Sequence, residues 1–198
     1  MTVHRLPAEK RREQILECSI KVLAKSNYQK ARVADIASLV GISEAAIYKY
    51  FPTKKHLFLA VLEYMSDRLI ASLSAVVEAE TDTMEALRKA AAAFADPNVN
   101  PPDHVRIRSK AIAEVDDTEI ASRLQNDHLR FVFLLRGIVE TGVRQGMLRS
   151  DLGVDMIMLL LDAVAMFVET LKLLSLEGNT SQEAGLGLMN QVIELVQA

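Results

Sequence analysis

Between positions 43 and 55 the chain brings together Ser43, Glu44, Tyr48, Lys49, Tyr50, Lys54 and Lys55. Hydroxyls, a carboxylate and ammonium groups at this density suit the reading of base edges and the gripping of phosphates, because lysine donates both to guanine's major-groove acceptors and to backbone oxygens. They do not suit bond breaking. The sequence has no phosphate-cradling glycine loop, no nucleophile elbow and no paired histidines at metal-ligand spacing. No catalytic residue, metal or cofactor is therefore expected. The nearest thing to a metal cluster is His128 beside Asp127, with Glu114, Asp116 and Asp117 upstream. Helical geometry makes Asp127 and His128 adjacent rather than co-facial, so a solvated acidic face is the better expectation.

The stretch that must position the polar set runs from Val33 to Leu57. Val33, Ile36, Ala37 and Val40 recur at helical spacing, and Ile47 and Phe51 repeat four residues apart, so two short helices each have one apolar face. Gly41-Ile42-Ser43 is the turn between them. A glycine there can take positive φ after the last helical residue, and Ser43 can accept from the freed amides that open the next helix. Ala37, one turn before the glycine, lets the second helix cross closely. Ala37, Gly41 and Ile47 thus make the small-glycine-branched triplet of a helix-turn-helix. Glu44, Ala45, Tyr48 and Lys49 are left pointing outward, toward a DNA major groove.

The flanking elements follow from the same rules. A first helix is predicted from Ala8 to Lys25 with Ile15, Cys18, Ile20, Val22 and Leu23 inward and Lys10, Arg11 and Arg12 leading, and Asn27 is expected to end it in the left-handed conformation. Arg32 precedes the second helix and cannot cap it through a side-chain oxygen, but its guanidinium is placed to reach a phosphate. After Pro52, Thr53 can cap a long helix from Lys54 to about Ala79 whose stripe is Leu57, Val61, Met65, Leu69, Leu73 and Val76. Lys54 and Lys55 open that helix against its dipole, and a phosphate held at the positive end is the simplest reason for them.

At these residues the chain resembles the TetR/AcrR family of transcriptional repressors: VADIASLVGIS, then AAIYKYF, then Lys54 and Leu57. The likeness covers roughly residues 10 to 60, with the Ile-Ala, Gly-Ile-Ser, Tyr-x-x-Phe and Lys-x-x-Leu elements at the family's spacing. It implies that Tyr48, Tyr50 and Lys54 grip the DNA backbone while Ser43, Glu44, Ala45, Ala46 and Lys49 lie where bases are read. Arg32 departs from the family, standing where a capping threonine is usual, and Cys18 and Leu23 replace the usual alanine and phenylalanine of the first helix.

Composition agrees with a helical chain. Of 198 residues half are hydrophobic, aromatics are 5%, and tryptophan is absent, so an all-α fold is expected. Net charge is −3, but residues 1 to 56 carry 11 Lys or Arg against 5 Asp or Glu while the remainder carries 12 against 21, a +6 head on a −9 body. Such a dipole presents one end to a polyanion. The lone Cys18 excludes an intrachain disulfide, and the N-terminus MTVHRLPAEKRRE has no apolar signal region, so a cytoplasmic protein is expected.

Beyond Ala79 periodicity predicts a helix over Thr83 to Ala95 closed by Asp96-Pro97, a loop through the proline-rich DPNVNPPDH, a helix from about Asp103 to Ala113, and another from Thr118 to Gln145. In Asp151 to Glu177, 18 of 27 residues are Ala, Val, Leu, Ile, Met or Phe. A helix apolar nearly all round is buried on two sides, and its Asp155, Asp162, Glu169 and Lys172 argue against a membrane span. Gly178 should end it, and Thr180 with Glu183 should form a capping box for the last helix. Gly185 and Gly187 inside that helix fit either close approach of another helix or a frayed first turn. The heptad-spaced acids Asp155, Asp162 and Glu169 fit a solvent edge or a pocket wall.

The resemblance implies a ligand pocket among the long helices, for which Met65, Leu69, Phe94, His128, Phe131, Phe133, Met166 and Phe167 are candidates. It also implies a dimer built from the two C-terminal helices, with Met158, Leu161, Ala165, Val168, Gly185, Met189 and Val192 at the interface. The whole reading is an all-α chain: residues 1–52 form a three-helix helix-turn-helix DNA-binding head, and residues 53–198 a helical-bundle ligand-binding and dimerisation body. Its function would be that of a homodimeric repressor released from a palindromic operator by a small-molecule effector. The alternative is a DNA-associated architectural protein that answers to no ligand.

Overall fold

A computed structural model describes residues 6–174 and 180–198, with the side chains of 180–182 left aside, and among these every extended element is a helix. In order they are α1 (Ala8–Lys25), α2 (Val33–Val40), α3 (Glu44–Tyr48), α4 (Lys54–Glu78), α5 (Thr83–Ala95), α6 (Pro102–Ile112), α7 (Thr118–Arg144), α8 (Val154–Leu174) and α9 (Thr180–Leu195). The expected all-α class is found. Asp82 caps α5 by accepting from the Glu85 amide at 3.0 Å, and Asp117 caps α7 by accepting from Glu119 at 3.0 Å. Several bounds and one cap differ from expectation, α8 for one beginning at Val154 rather than Asp151. α6 begins at Pro102, inside the predicted loop, because proline's fixed φ and missing amide suit the first helical position. α1 ends through Ser26 in an extended conformation, while Asn27 instead accepts from the Lys30 amide at 2.9 Å in a side-chain turn. Gly178 and the Thr180 side chain lie outside the described residues.

The chain divides into two compact units, one of residues 1–65 with 106–124 and the other of residues 66–105 with 125–198. The first unit contains α1 to α3 and is packed round Ile15, Leu16, Ile47, Val61, Leu62 and Met65, all at most 2% exposed. Ile107, Ala111 and Ile120 complete that core from α6 and α7. Polar ties reinforce it. Lys110 Nζ donates to the carbonyls of Ala24 at 2.9 Å and Ser26 at 2.8 Å, so a cation satisfies the open C-terminal end of α1. Arg123 pairs with Glu63 at 3.1 Å and Gln29 donates to Glu114 at 2.7 Å. The packing unit therefore extends past residue 52, where the expected boundary of the head lies.

The second unit holds two apolar clusters, one about Leu87, Val139, Ile157 and Ile193, the other about Leu73, Phe94, Val168 and Met189. α9 packs against both α5 and α8. Gly185 marks the α8–α9 approach, since a Cβ there would stand 3.2 Å from both γ carbons of Val168. Gly187 has open space instead. The three heptad-spaced acids of α8 are each engaged: Arg136 donates to Asp155 at 2.7 Å, His128 Nε2 is 3.3 Å from Asp162, and Asn100 donates to Glu169 at 3.3 Å. They form the polar edge along which α8 meets α7 and the turn before α6.

Candidate DNA interface and ligand cavity

Local rules build the recognition face. Gly41 closes α2 at φ 79°, its amide donating to Ala37 O at 2.9 Å, and Ser43 Oγ accepts from the Ala46 amide at 3.2 Å to open α3. Ala37, Ile47 and Phe51 are buried at 3%, 0% and 3% exposure, which fixes α3 against the head from beneath. Ser43, Glu44, Ala45, Tyr48 and Lys49 are exposed, while Ala46 and Tyr50 are half-buried. The outward set expected from the turn is thus the outward set observed. Arg32 is exposed immediately before α2 and makes no capping bond, as its chemistry requires.

The two lysines at the start of α4 divide. Thr53 caps this helix, its Oγ1 accepting from the His56 amide at 3.1 Å. Lys54 Nζ donates to Gln29 O at 3.0 Å and stands 5.0 Å from the Tyr28 ring centre, which holds its charge beside the first turn of the helix. Lys55 is committed within the unit, 3.1 Å from Asp117 and 2.5 Å from Glu119. Those hydrogen bonds push the Lys55 amine above its usual range, and the bond from Lys55 holds the Asp117 carboxyl below its own. An internal reason therefore exists for a cation at this position, and the acids that supply it lie 62 and 64 residues away. Arg12 stacks on Phe51 at 5.1 Å, a contact that places a further cation on the head.

The second unit contains an apolar cavity with about 530 Å³ of space between atoms, its opening included, of which about 50 Å³ admits the centre of a water molecule. Of the residues expected to hold a ligand, Phe94 and Phe131 line it, their ring centres 5.6 Å apart. The others do not. Met65 is in the core of the first unit, and Leu69 is buried in the second without reaching the cavity. His128 faces Asp162, and Met166 and Phe167 are on the outside of α8 at 58% and 49% exposure. Phe133 lies in an open groove with Ile70 and Leu129. The cavity's remaining walls include Leu73, Leu87, Ala90 and Ile138, on helices whose stripes read simply as core.

The interface residues expected on α8 and α9 are likewise turned inward. Met158, Ala165 and Val168 are 5%, 5% and 1% exposed, and Met189 is 6% exposed. Gly185 is buried against Val168, Val192 is half-buried, and Leu161, Ala165 and Met189 line the cavity. Their own protomer covers them. The opposite face of α8 is open, with Met156, Leu159, Met166, Phe167 and Leu174 between 48% and 63% exposed. A helix apolar all round gives periodicity nothing with which to separate the two faces.

Among the described residues no group of three metal-ligating side chains occurs, and no helix is long and apolar enough to cross a membrane. Residues 15–61 match the family described as bacterial regulatory proteins, tetR family. Over 78 residues the chain is 38% identical to the nucleoid occlusion factor SlmA of Shewanella frigidimarina, a match covering 39% of this chain and 40% of that protein. The chain thus spans about two-fifths of the length of the curated relatives it matches. In fold it is similar to a transcriptional regulator from Saccharomonospora viridis in complex with choline, at 22% identity over 96% of this chain and 99% of that one, with a TM-score of 0.84. A TetR transcription regulator from Haloarcula marismortui is 19% identical over 96% and 100% of the two chains, with a TM-score of 0.82. At these identities the likeness to solved structures is one of fold.

Proposed function

We propose that this chain, whose residues 15–61 match the family described as bacterial regulatory proteins, tetR family, is a transcriptional repressor that binds a palindromic operator as a homodimer and is released by a small molecule. The observation that carries the reading is the recognition face. A glycine-turned, serine-capped α3 is pinned from below by Ile47 and Phe51 and presents Ser43, Glu44, Ala45, Tyr48 and Lys49 outward. In this reading Lys49 and the first turn of α3 meet base edges, while Arg32, Tyr48, Tyr50 and Lys54 hold phosphates. Lys55 is held by Asp117 and Glu119, which compensate its charge, and in this reading it grips no phosphate.

The effector site is the cavity of the second unit, where an occupant would shift the population toward a form whose two heads no longer match successive major grooves. Self-association uses the exposed α8 face of Met156, Leu159, Met166, Phe167 and Leu174. A two-fold dimer of this kind would match a two-fold operator. The protein works in the cytoplasm, where its DNA is, and no part of the reading calls for catalysis.

Selection of operators from a random duplex library with the pure protein tests the proposal, followed by a search for small molecules that release the selected duplex. Enrichment of an inverted repeat supports it; uniform retention of all duplexes at moderate salt would sink it. A second reading, a DNA-associated architectural role without an effector, is favoured by the likeness over 78 residues to SlmA, which is named for nucleoid occlusion. Thermal shift across a metabolite library separates the two, because an architectural protein has no selective ligand.

A further inference from the structure

We infer that the molecule received by the cavity of the second unit is uncharged and apolar, an inference that rests on the cavity being the effector site of the proposed repressor. Every side chain lining it is a hydrocarbon or a thioether, from Leu73 and Leu87 through Phe94, Phe131 and Ile138 to Met189. No carboxylate, amine, guanidinium, hydroxyl or amide side chain is among them. A polar or charged ligand entering such a site gives up its water and gains no partner, and the penalty is far larger for a charge than for a hydroxyl.

The acids of α8 beside the lining face partners away from it. Leu161, Val164 and Ala165 of α8 face the cavity, while Asp155, Asp162 and Glu169 on the same helix turn to Arg136, His128 and Asn100. Lys172 Nζ donates to the carbonyl of Phe94 at 2.9 Å and stands 5.7 Å from that ring's centre. A cationic ligand stacked on Phe94 would therefore share the ring with a lysine and find no counter-ion. An anionic ligand would have to draw Lys172 off a buried carbonyl. Asp162 has one oxygen buried without a hydrogen-bond partner, but it does not line the cavity. The Phe94–Phe131 pair offers two ring faces and edges to an aromatic or alicyclic body.

Three probes on one framework test the inference: butylbenzene, 4-phenylbutanoate and 4-phenylbutylammonium, titrated calorimetrically into the full chain without DNA. Butylbenzene should bind, and the two ions should bind at least about 100-fold more weakly. Ala165→Met and, separately, Ala90→Leu fill the cavity from opposite walls. Whichever of the two keeps the wild-type circular dichroism should weaken butylbenzene at least about tenfold. Tighter binding of either ion, equal binding of all three, no butylbenzene binding, or binding unaffected in a folded filling variant would each overturn the inference. Operator release is scored separately. If butylbenzene binds in the cavity with this selectivity yet leaves the operator complex intact, the ligand class stands and the effector-released repressor is the part that fails.

Discussion

Gly41 sets the angle between α2 and the recognition helix, and the structure separates the two reasons a glycine can be required there. Space is not one of them, since a Cβ built on Gly41 meets nothing within 4 Å. Conformation is, because φ is 79°. Forcing alanine into the left-handed region costs about 1 to 2 kcal/mol, offset in part by about 0.4 to 1 kcal/mol from the stiffer unfolded chain. The net for Gly41→Ala is therefore a loss of about 1 kcal/mol. In a chain of this length that lowers the melting temperature by roughly 2 to 4 °C. Asparagine tolerates the left-handed region better, so Gly41→Asn should recover most of the loss. Chemical denaturation followed by circular dichroism reads the stability, and operator titration reads whether α3 keeps its aim. An alanine cost above about 3 kcal/mol would mean that a neighbour fills the space after all, and the same cost for asparagine as for alanine would refute the assignment to backbone conformation.

Lys54→Ala should weaken binding to all duplexes alike and reduce the log–log salt slope by about 0.9, one phosphate's worth, whereas Lys49→Ala should relax preference at one base pair at a cost of about 1 to 3 kcal/mol; an unchanged slope for the first, or uniform weakening for the second, reverses the assignment. Leu159→Arg places a charge on the exposed α8 face and should dissociate the dimer at micromolar concentration in sedimentation, because several large side chains at about 1.5 to 3 kcal/mol each drive the association. Leu161→Arg points into the cavity instead and should damage the fold of the second unit, so dissociation of an intact monomer by Leu161→Arg alone would contradict the facing described. The bond from Lys55 holds the Asp117 carboxyl below its ordinary range, so its contribution to stability is whole above the unfolded carboxylate pKa and is lost as pH falls through the lower folded value. Asp117→Asn should flatten the acid side of the stability profile; an equal loss at all pH values would point to the α7 cap, which asparagine retains, being disturbed instead.

Much of the head was legible because its determinants are local. Gly41 and Ser43 act within four residues of themselves, and Ile47 and Phe51 show their face by simple spacing. What escaped the sequence is non-local or symmetric in pattern. The partners of Lys55 are the cap and first turn of α7, so an argument confined to the N-terminus of α4 could only offer a phosphate. Asp155, Asp162 and Glu169 repeat in a way that announces an edge without naming what stands opposite, and only the pairing with Arg136, His128 and Asn100 supplies it. On α8 both faces are apolar, so the choice of Met158 and Ala165 over Leu159 and Phe167 as the outer set had no physical basis in the pattern. Phe94 and Phe131 were visible as aromatic positions; the small Ala90 and Ala91 that make room beside them were not, since the absence of side chain leaves no periodic signal.

The Lys110 clamp has a consequence for anyone who would graft this head onto another sensor. A chimera joined after Phe51 would cut away Leu57, Val61 and Leu62, which close the core over Ile15 and Ile47, together with the ammonium that satisfies the carbonyls of Ala24 and Ser26. Extending the graft to Met65 would restore the first group and still leave out Ile107, Ala111 and Ile120. A transplant that keeps its native footing must carry residues 106–124 as a second, discontinuous insert, so the head is portable only as two pieces of chain held in register.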